Sequence, residues 1–403
     1  MTTTLAEHKS ALRKVHLIDP EVCIRCNTCE ATCPVGAITH DANNYVVDAG
    51  KCNFCMDCVA PCPTGSIDNW RIVKTAYSID DQFTWGELPK QEEHGDASPG
   101  ADQALEDDVT SLLAGAHSGA GGKVRAPDSA SKPTVNLYRR EKPATASVQG
   151  NFRITAPGTE SDIRHIVLSF GSTMFPVLEG QSIGIVPPGK RADGKPHDIR
   201  LYSIASARDG EKRNGNNLGL TIKRVESGIG SNFMCDLKVG DTVEVTGPFG
   251  ATFLMPNDAN ANLIMICTGT GSAPFRAFTE RRRRAMQNAP GKAVMFMGAR
   301  TPEELPYFGA LQKVPTNLLE KHLVFSRVKG ADKEYVQDRL RTEASNVAAL
   351  LKDPNTHMYI CGLKDMEAGV EEALADIARK HGMDWSEIKP AMRSSGRYHV
   401  ETY

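Results

Sequence analysis

The sequence predicts a multidomain protein of mixed α+β and α/β class, and three observations support this prediction. Eight cysteines repeat one spacing near the start of the chain, a central stretch alternates in the manner of short strands, and the last third alternates strands with helical segments. We expect a cysteine-rich α+β domain over residues 1–85, an antiparallel β-barrel over 134–256 and a parallel-sheet α/β domain over 257–403. Residues 86–133 are expected to link the first two.

The cysteine pattern C-x2-C-x2-C-x3-C-P occurs twice. This spacing is typical of proteins that hold two 4Fe–4S clusters, in which the first three cysteines of a run bind one cluster and the fourth binds the other. We therefore assign two crossed sets of metal ligands: Cys23, Cys26, Cys29 and Cys62 for one cluster, and Cys52, Cys55, Cys58 and Cys33 for the other.

Zinc and disulfides are the competing interpretations of these cysteines. Zinc sites usually pair two C-x2-C knuckles rather than four cysteines in a row, and a disulfide framework requires an oxidising compartment. The paired clusters are therefore favoured. Over residues 15–72 the chain resembles the bacterial two-cluster ferredoxins.

Composition narrows the class of protein. The chain has 403 residues, of which 40% are hydrophobic, and a formal net charge of −2. This charge implies no general attraction to nucleic acid or to an anionic membrane. We find neither a signal-peptide pattern near the start nor a run of about 18 apolar residues. We expect a cytoplasmic protein in which Cys235, Cys267 and Cys361 are free thiols.

The predicted linker, residues 86–133, is rich in Ala, Gly, Ser and Asp, and its stretch 92–108 has acidic residues but no Lys or Arg. Such a composition buries too little apolar area to offset the entropy of ordering, which predicts a flexible tether. Residues 105–113 can form a short docking helix, although composition favours the plain linker. A second charged stretch, four arginines at 281–284, is interpreted as the solvated face of a helix.

The barrel prediction rests on about six alternating segments separated by Gly and Pro. They are residues 151–156, 163–169, 182–186, 201–205, 218–225 and 241–246. Within them, residues 200–206 read RLYSIAS. On a strand, Arg200 and Tyr202 face one way and Ser203 the other, which presents a cation, an aromatic ring and a hydroxyl at fixed spacing along a ligand.

This motif resembles the flavin strand of the plant-type ferredoxin–NADP reductase family. The resemblance implies that Arg200 lies against the FAD pyrophosphate, that Tyr202 stacks on the isoalloxazine, and that Ser203 hydrogen-bonds near flavin N5. A following G-x-x-S loop resembles the same family, and its helix start supplies free N–H groups for phosphate. The FAD-binding residues expected in this loop and the preceding strand are Ile222, Lys223, Gly228, Ile229, Gly230 and Ser231.

The parallel sheet is predicted from strand candidates at 263–267, 293–297, 323–326 and 358–361. After the first of these comes a glycine turn that opens a helix, where glycines let the backbone approach a pyrophosphate. This turn is similar to the T-G-T-G loop of the same family. It supplies four expected nucleotide-binding residues: Thr268, Gly269, Thr270 and Gly271.

The same family resemblance implies a pocket for the 2′-phosphate of NADP. A hydroxyl, two cations and a ring that stacks on adenine suit a phosphorylated ribose, so NADPH is preferred to NADH as the donor. The residues expected around the dinucleotide are Gly298, Ser326, Arg327, Lys333, Tyr335, Gln337 and Gly362.

Four residues are expected to act at the reacting rings. By resemblance to the family, Cys361 lies near the nicotinamide C4 and Tyr403 stacks on the flavin, from which the nicotinamide displaces it. Glu401 is expected in a proton or hydrogen-bond path with Ser203. Without the resemblance, Cys361 would be interpreted as a small core residue.

The three kinds of carrier predict an NADPH-dependent reductase that converts a hydride pair, through FAD, into single electrons on the clusters. Their order along the chain resembles the reductase components of benzoyl-CoA 2,3-epoxidase systems. That resemblance implies a separate di-iron oxygenase as electron acceptor in aerobic benzoate breakdown. Two alternatives remain open: a general NADPH–ferredoxin oxidoreductase, and a non-catalytic electron-transfer subunit. No oligomeric state is predicted.

Overall fold

A computed structural model describes residues 13–55, 57–59, 62, 64, 66–67, 69–90, 109, 111–113, 115–116, 125–213 and 215–403. It divides into two compact units, residues 1–98 and 99–403. The predicted limits of the domains and the linker stay a prediction. In the described parts of the chain, no helix is both long enough and apolar enough to cross a bilayer.

The first unit contains two small antiparallel sheets and two short helices. Strand β1 (Arg13–Leu17) pairs with β4 (Asn69–Val73), and β2 (Ile38–His40) pairs with β3 (Tyr45–Val47). Because β1 and β4 flank both cysteine runs, their pairing brings the runs together. Ile38 and Ile67, the apolar residues that follow the two runs, are both buried in one core with several of the cysteines.

The helices of this unit are α1 (Thr28–Thr32) and α2 (Ile79–Phe83). Helix α2 begins at a reciprocal cap, in which the Ser78 hydroxyl accepts the Asp81 amide and the Asp81 carboxylate accepts the Ser78 amide. The buried Gln82 side chain both accepts from and donates to the backbone of Val47. These bonds fasten residues 78–83 to the cysteine-rich domain.

The second unit begins with a six-stranded antiparallel sheet in the order β8-β7-β10-β5-β6-β9. Its edges meet through a bridge between Ile204 and Leu220, which closes the sheet on itself. The strands are β5 (Ala144–Arg153), β6 (Ile163–Ser169), β7 (Ser182–Ile185), β8 (Arg200–Ser203), β9 (Asn217–Lys223) and β10 (Thr242–Phe249). The prediction of about six antiparallel strands is confirmed.

The first strand starts earlier than predicted, at Ala144 rather than at residue 151. Ala144, Ala146 and Val148 are buried while their neighbours are more exposed, which is the alternation of a half-buried strand. Alanine is depleted in strands, so this alternation carries little signal. The pairing of β5 with β6 also shifts between Val148 and Gly150, which interrupts the period.

The second sheet is parallel and has the order β13-β12-β11-β14-β15. Its strands are β11 (Asn262–Thr268), β12 (Ala293–Ala299), β13 (Glu320–Phe325), β14 (Thr356–Gly362) and β15 (Tyr398–Thr402). The four predicted strands are present, and the fifth was missed. Although all of β15 is buried, its sequence YHVET has no apolar run that predicts a core strand.

Helices cover this parallel sheet, as strand–helix alternation requires. The barrel contributes one helix, α3 (Ile229–Asp236). The helices of the parallel-sheet domain are α4 (Ser272–Ala285), α5 (Phe308–Gln312), α6 (Val336–Thr342), α7 (Ala344–Lys352), α8 (Lys364–Lys380) and α9 (Trp385–Ser394). Two apolar clusters fill the space on the two sides of the sheet, one around Ile264 and Phe296 and one around Met265 and Phe278.

The prediction of a solvated face for the four arginines at 281–284 holds for Arg283, whose side chain is 53% exposed, and is wrong for Arg282 and Arg284. Arg282 is 4% exposed and donates to the carbonyl oxygens of Ala261 and Gly291. Arg284 forms an ion pair of 2.7 Å with Asp209 of the barrel. Both side chains therefore hold α4 against loops, which a charge run in sequence does not reveal.

A polar network joins the barrel to the parallel-sheet domain. The Tyr307 hydroxyl lies 2.8 Å from His165 Nδ1 and 2.6 Å from Thr221 Oγ1. Beside it, Arg276 donates to both carboxylate oxygens of Glu211, at 2.7 and 2.6 Å. A bidentate pair of this kind fixes orientation as well as distance, so the network sets the position of one sheet relative to the other.

Candidate functional site

The eight motif cysteines line two cavities in the first unit. Each cavity takes three cysteines from one run and the fourth from the other run, as the motif predicts. The first contains Cys23, Cys26, Cys29 and Cys62, and the second contains Cys33, Cys52, Cys55 and Cys58. This donor set suits 4Fe–4S clusters, which are held by cysteine thiolates.

Two of these cysteines are buried, and burial changes their acidity. It raises the pKa of Cys29 to about 11 and that of Cys58 to about 12, because a thiolate loses the solvation of water. The iron of a bound cluster must therefore offset the free-energy cost of ionising these two buried thiols. A backbone amide also points at one of the sulfurs: the Ala37 N–H donates to Cys33 Sγ at 3.2 Å.

In the second unit, the side chains of the predicted flavin strand β8 lie against the start of helix α3. A Cβ atom at Gly230 would lie 2.7 Å from Arg200 Cγ and 3.2 Å from the Tyr202 hydroxyl. A side chain at position 230 would therefore crowd Arg200 and Tyr202 where they pack against the start of α3. Burial raises the pKa of Tyr202 to about 12, which keeps the phenol neutral.

The turn before α3 is held by its own serine. Ser231 Oγ accepts the Val225 amide at 3.1 Å and donates to the Gly228 carbonyl oxygen at 3.1 Å. The first N–H groups of a helix have no partner within the helix, and Gly230, in the first turn of α3, lies beside the Arg200 side chain. This arrangement suits a pyrophosphate.

The two predicted residues of β9 differ in exposure. Ile222 is 1% exposed and belongs to the barrel core, which leaves its main chain as the part that can reach a ligand. Lys223 is exposed at the end of the strand. Ile229, at the start of α3, is 49% exposed and is free to contact a ring or ribose.

Glu401 connects the parallel sheet to the barrel. The Ser203 hydroxyl donates to Glu401 Oε1 at 3.2 Å, and the Ser182 hydroxyl donates to the same oxygen at 3.5 Å. Ser182 and Ser203 are register partners on β7 and β8. Burial raises the pKa of Glu401 to about 7, a value suited to proton exchange near neutral pH.

Cys361 is the neighbour of Glu401 in the sheet. It pairs in register with Glu401 on one side and with Cys267 on the other. Cys361 is 1% exposed, and burial raises its pKa well above that of an ordinary thiol. The side chain is therefore a neutral thiol, which suits packing against a ring rather than nucleophilic attack.

The predicted dinucleotide loop lies where β11 and β14 end. A Cβ atom at Gly271 would lie 2.1 Å from the Cys361 carbonyl oxygen, and Gly269 has φ +54°. Both positions therefore require glycine. The Thr268 hydroxyl is buried and has no hydrogen-bond partner among the described residues. It lies 2.9 Å from the position of a Cβ atom at Gly362, and its methyl group is next to Gly298.

Three strand ends thus meet at Thr268, Gly298 and Gly362. In open α/β sheets the carboxyl ends of the strands form the ligand crevice. The glycines keep this edge free of side chains, and the unpartnered hydroxyl of Thr268 faces it. The residues present therefore fit a dinucleotide.

The residues predicted around the 2′-phosphate lie within one segment, 326–337. The Ser326 amide donates to the Ala299 carbonyl oxygen at 3.1 Å, and Lys333 is exposed. Tyr335 precedes helix α6 and is 47% exposed, with its amide held by Asp338. The Gln337 side chain occupies room left by Gly369.

One contact of this segment was missed from the sequence. Arg327 forms an ion pair of 3.6 Å with Glu160, and Arg300 pairs with the same carboxylate. Two arginines thus converge on one anionic group beside Ser326. Arg300 directly follows strand β12, two residues after Gly298. This position at a strand end was the available sequence signal for Arg300.

Tyr403 contacts both the glycine turn at 268–271 and the end of strand β14. Its hydroxyl lies 2.6 Å from Thr270 Oγ1, and its amide donates to the Gly362 carbonyl oxygen at 3.0 Å. The side chain is 57% exposed. The ring is therefore anchored at its hydroxyl end and open on a face.

This combination defines a flavin- and nicotinamide-dependent oxidoreductase that carries an iron–sulfur domain. Three family models match the chain, one for each of these parts. The 4Fe-4S dicluster domain matches residues 16–69, the oxidoreductase FAD-binding domain 178–253, and the oxidoreductase NAD-binding domain 265–372.

The relatives match the reductase part of the chain. The ferredoxin–NADP reductase of the Cyanophora paradoxa cyanelle is 38% identical over 287 residues, which are 67% of this chain and 79% of the relative. That of Spirulina is 36% identical over 67% of this chain and 98% of the relative. The structure of the Plasmodium falciparum enzyme matches with a TM-score of 0.54 and 29% identity over 67% of this chain and 99% of that one.

The chain belongs to the ferredoxin–NADP reductase family. It is an NADPH-dependent flavin oxidoreductase with a 4Fe–4S domain, and the prediction of an enzyme is confirmed. This membership favours an enzyme over the non-catalytic subunit considered from the sequence.

Proposed function

We propose that this reductase passes electrons from NADPH, through FAD and two 4Fe–4S clusters, to a separate oxygenase. The acceptor we favour is the di-iron epoxidase that acts on benzoyl-CoA in aerobic benzoate degradation. The observation that carries the proposal is the presence of two four-cysteine cavities on the same chain as the flavin and nucleotide sites. A fused single-electron carrier suits delivery to a metal centre.

The cofactors supply the redox chemistry. When bound, FAD accepts a hydride from NADPH and releases electrons singly, and each 4Fe–4S cluster carries one. The protein contributes binding, orientation and control of protons. We assign the two clusters to the crossed cysteine sets that line the cavities.

The barrel holds FAD in this proposal. Arg200 and the helix-start amides of Ile229, Gly230 and Ser231 bind the pyrophosphate, where a planar guanidinium and free N–H groups both favour phosphate oxygens. Tyr202 stacks on one face of the isoalloxazine, and Tyr403 covers the other until the nicotinamide displaces it.

The parallel sheet binds NADPH. The turn at 268–271 receives the pyrophosphate, Arg327 and Lys333 bind the 2′-phosphate with Ser326, and Tyr335 stacks on adenine. The neutral Cys361 thiol packs beside the nicotinamide. The exposure of Tyr335 and the open edge at Gly298 and Gly362 support these assignments.

Ser203 and Glu401 move or hold a proton near flavin N5. The Ser203 hydroxyl already donates to Glu401, so Glu401 orients the hydroxyl and can return or accept a proton through it. A carboxyl with a pKa near 7 can do either at neutral pH.

The identity of the acceptor is tested by reconstitution. We expect the holoprotein to bind a di-iron oxygenase in pull-down assays, and NADPH oxidation by the pair to require benzoyl-CoA and oxygen. Equal activity with any added ferredoxin, and none with the oxygenase, would instead establish the general NADPH–ferredoxin oxidoreductase. We place the protein in the cytoplasm, since reduced thiols and clusters suit a reducing compartment.

A further inference from the structure

Glu160 lies on the loop between β5 and β6 of the barrel, and its carboxylate faces two arginines of the parallel-sheet domain. Arg300 Nη1 and Arg327 Nη1 both pair with Glu160 Oε2, the second at 3.6 Å. The arginines are also neighbours, since the Arg327 amide donates to the Arg300 carbonyl oxygen at 2.7 Å. One carboxylate oxygen therefore lies between two guanidinium groups.

The loop that carries Glu160 is bonded to the parallel-sheet domain on both sides of this residue. The Ala156 amide donates to the Glu303 carbonyl oxygen at 2.8 Å. The Ser161 hydroxyl donates to Glu304 Oε2 at 2.7 Å, and both of these residues are buried. These bonds hold the backbone of the loop in place. The Glu160 carboxylate can therefore leave the arginines by side-chain rotation alone.

The carboxylate and its two partners are open to solvent. The exposed fraction of the side chain is 70% for Glu160, 58% for Arg327 and 37% for Arg300. Ion pairs between exposed groups contribute little free energy, because water and salt screen them. The phosphate of a ligand can therefore reach the arginines and exchange with the carboxylate at small cost.

The 2′-phosphate of NADPH is the anion that suits this pair of arginines. Arg327 is assigned to that phosphate in the proposed function, and Arg300 lies beside Arg327 directly after β12. A phosphate group carries more negative charge than a carboxylate and offers three oxygens to guanidinium donors. A carboxylate that stayed in place would repel the phosphate. The two anions therefore compete for the same cations.

We propose that Glu160 is a specificity-determining residue, whose carboxylate occupies the 2′-phosphate site of the free reductase until NADPH displaces it from Arg300 and Arg327. Arg300 then serves as a further cation for the 2′-phosphate. The inference rests on the proposed function for the location of this site. Glu160 weakens the binding of NADPH and narrows the preference over NADH, because NADH has no phosphate that must displace the carboxylate.

The test measures the binding of two probes to the oxidised, full-length holoprotein by isothermal titration calorimetry, at low and at high salt. Adenosine 2′,5′-bisphosphate has the 2′-phosphate, and 5′-AMP lacks it. The variants are Glu160→Gln, which removes the charge and keeps the shape, and Arg300→Ala. The matched control is Glu303→Gln, which makes the same change of charge at an exposed residue of the facing loop.

We expect Glu160→Gln to bind the bisphosphate about 5-fold more tightly than the wild type at low salt, because the competing anion is gone. The gain should be smaller at high salt, where screening already weakens the carboxylate. Arg300→Ala should bind the bisphosphate about 5-fold more weakly, since a charged contact is lost. The affinity of Glu160→Gln for 5′-AMP should be nearly unchanged, and the control should match the wild type.

Weaker or unchanged binding of the bisphosphate by Glu160→Gln would overturn the displacement, because it would show that the carboxylate only orients the arginines or has no effect on them. An equal gain for 5′-AMP, or an equal gain in Glu303→Gln, would reveal a general effect of charge and would overturn it as well. Failure of the proposed 2′-phosphate site is distinguishable. The wild-type protein would then bind the two probes equally well, which removes the displacement together with the site.

Discussion

The Ser203 hydroxyl donates to Glu401 Oε1 at 3.2 Å although the two residues are 198 positions apart in the sequence. Ser203 ends a barrel strand, and Glu401 lies on the last strand of the parallel sheet. The bond therefore exists only when both sheets are assembled. It places a titratable group at the junction of the proposed flavin and nicotinamide sites.

Replacing Glu401 by Gln should slow reoxidation of the NADPH-reduced flavin by a one-electron acceptor by about 100-fold. The hydride itself brings the hydrogen to N5, and this hydrogen must leave as a proton when the electrons depart, a proton that the amide cannot accept. Ser203→Ala should have a similar effect. Ser182→Ala is the control, since its contact with Glu401 is longer, 3.5 Å. The measurement is anaerobic stopped-flow absorbance of the flavin. Wild-type rates in Glu401→Gln would contradict the proton path.

Glu401 should also make stability depend on pH. Burial raises its pKa to about 7 from an ordinary value of 4.5, so between these pH values the folded protein holds a proton that the unfolded chain has lost. Stability therefore falls as pH rises through this window, by an amount on the order of 3 kcal/mol. Thermal unfolding across the window should show a smaller fall in Glu401→Gln; an identical fall would refute the assignment.

Replacing Arg327 by Ala should raise the KM for NADPH about 10-fold or more and leave the KM for NADH nearly unchanged, because one charged phosphate contact is lost. Lys329→Ala, an exposed change in the same loop, is the control. Steady-state kinetics with both donors provide the measurement. Equal effects on the two KM values would remove Arg327 from the 2′-phosphate pocket.

Tyr403→Ser should change the competition for the flavin face, because the serine cannot stack on a ring. We expect tighter binding of NADP⁺ and a smaller preference for NADPH over NADH. The measurement is titration of the oxidised holoenzyme with each nucleotide, followed by flavin absorbance. Affinities equal to those of the wild type would count against the stacking role.

Pairs of cysteine variants test the crossed ligand sets. Cys23→Ser with Cys62→Ser alters one proposed set and should halve the iron content, from about eight atoms to about four. Cys23→Ser with Cys33→Ser alters both sets and should remove nearly all of it. The iron and sulfide contents of each anaerobically purified variant are the measurement. The reverse order would show that each run binds its own cluster.

Much of the site could be predicted because its chemistry restricts local sequence. The cysteine spacing follows from the geometry of a cluster. Gly271 follows from a close approach of the Cys361 backbone, and Gly230 from the closeness of the Arg200 and Tyr202 side chains. Such restrictions are visible in a short window of sequence. The packing of Val109 and Leu113, in the predicted linker, against the barrel was recognised only as the weaker option, since these two residues form too short an apolar pattern.

What was missed depends on partners distant in sequence. Strand β15 is specified by pairing with β14 rather than by its own pattern. Arg282 is buried because carbonyl oxygens of two loops accept its hydrogen bonds. Arg300 joins Arg327 only through Glu160 of the barrel. A charged side chain has the same local pattern whether it is solvated or paired, so the sequence does not separate the two.

Anaerobic stopped-flow mixing of the holoprotein with NADPH tests the central claim most directly, with flavin and cluster absorbance followed separately. We expect flavin bleaching to begin first and bleaching of the iron–sulfur bands to follow in the same molecule. Clusters that stay oxidised while the flavin is fully reduced, or protein that contains zinc in place of iron and sulfide, would contradict it.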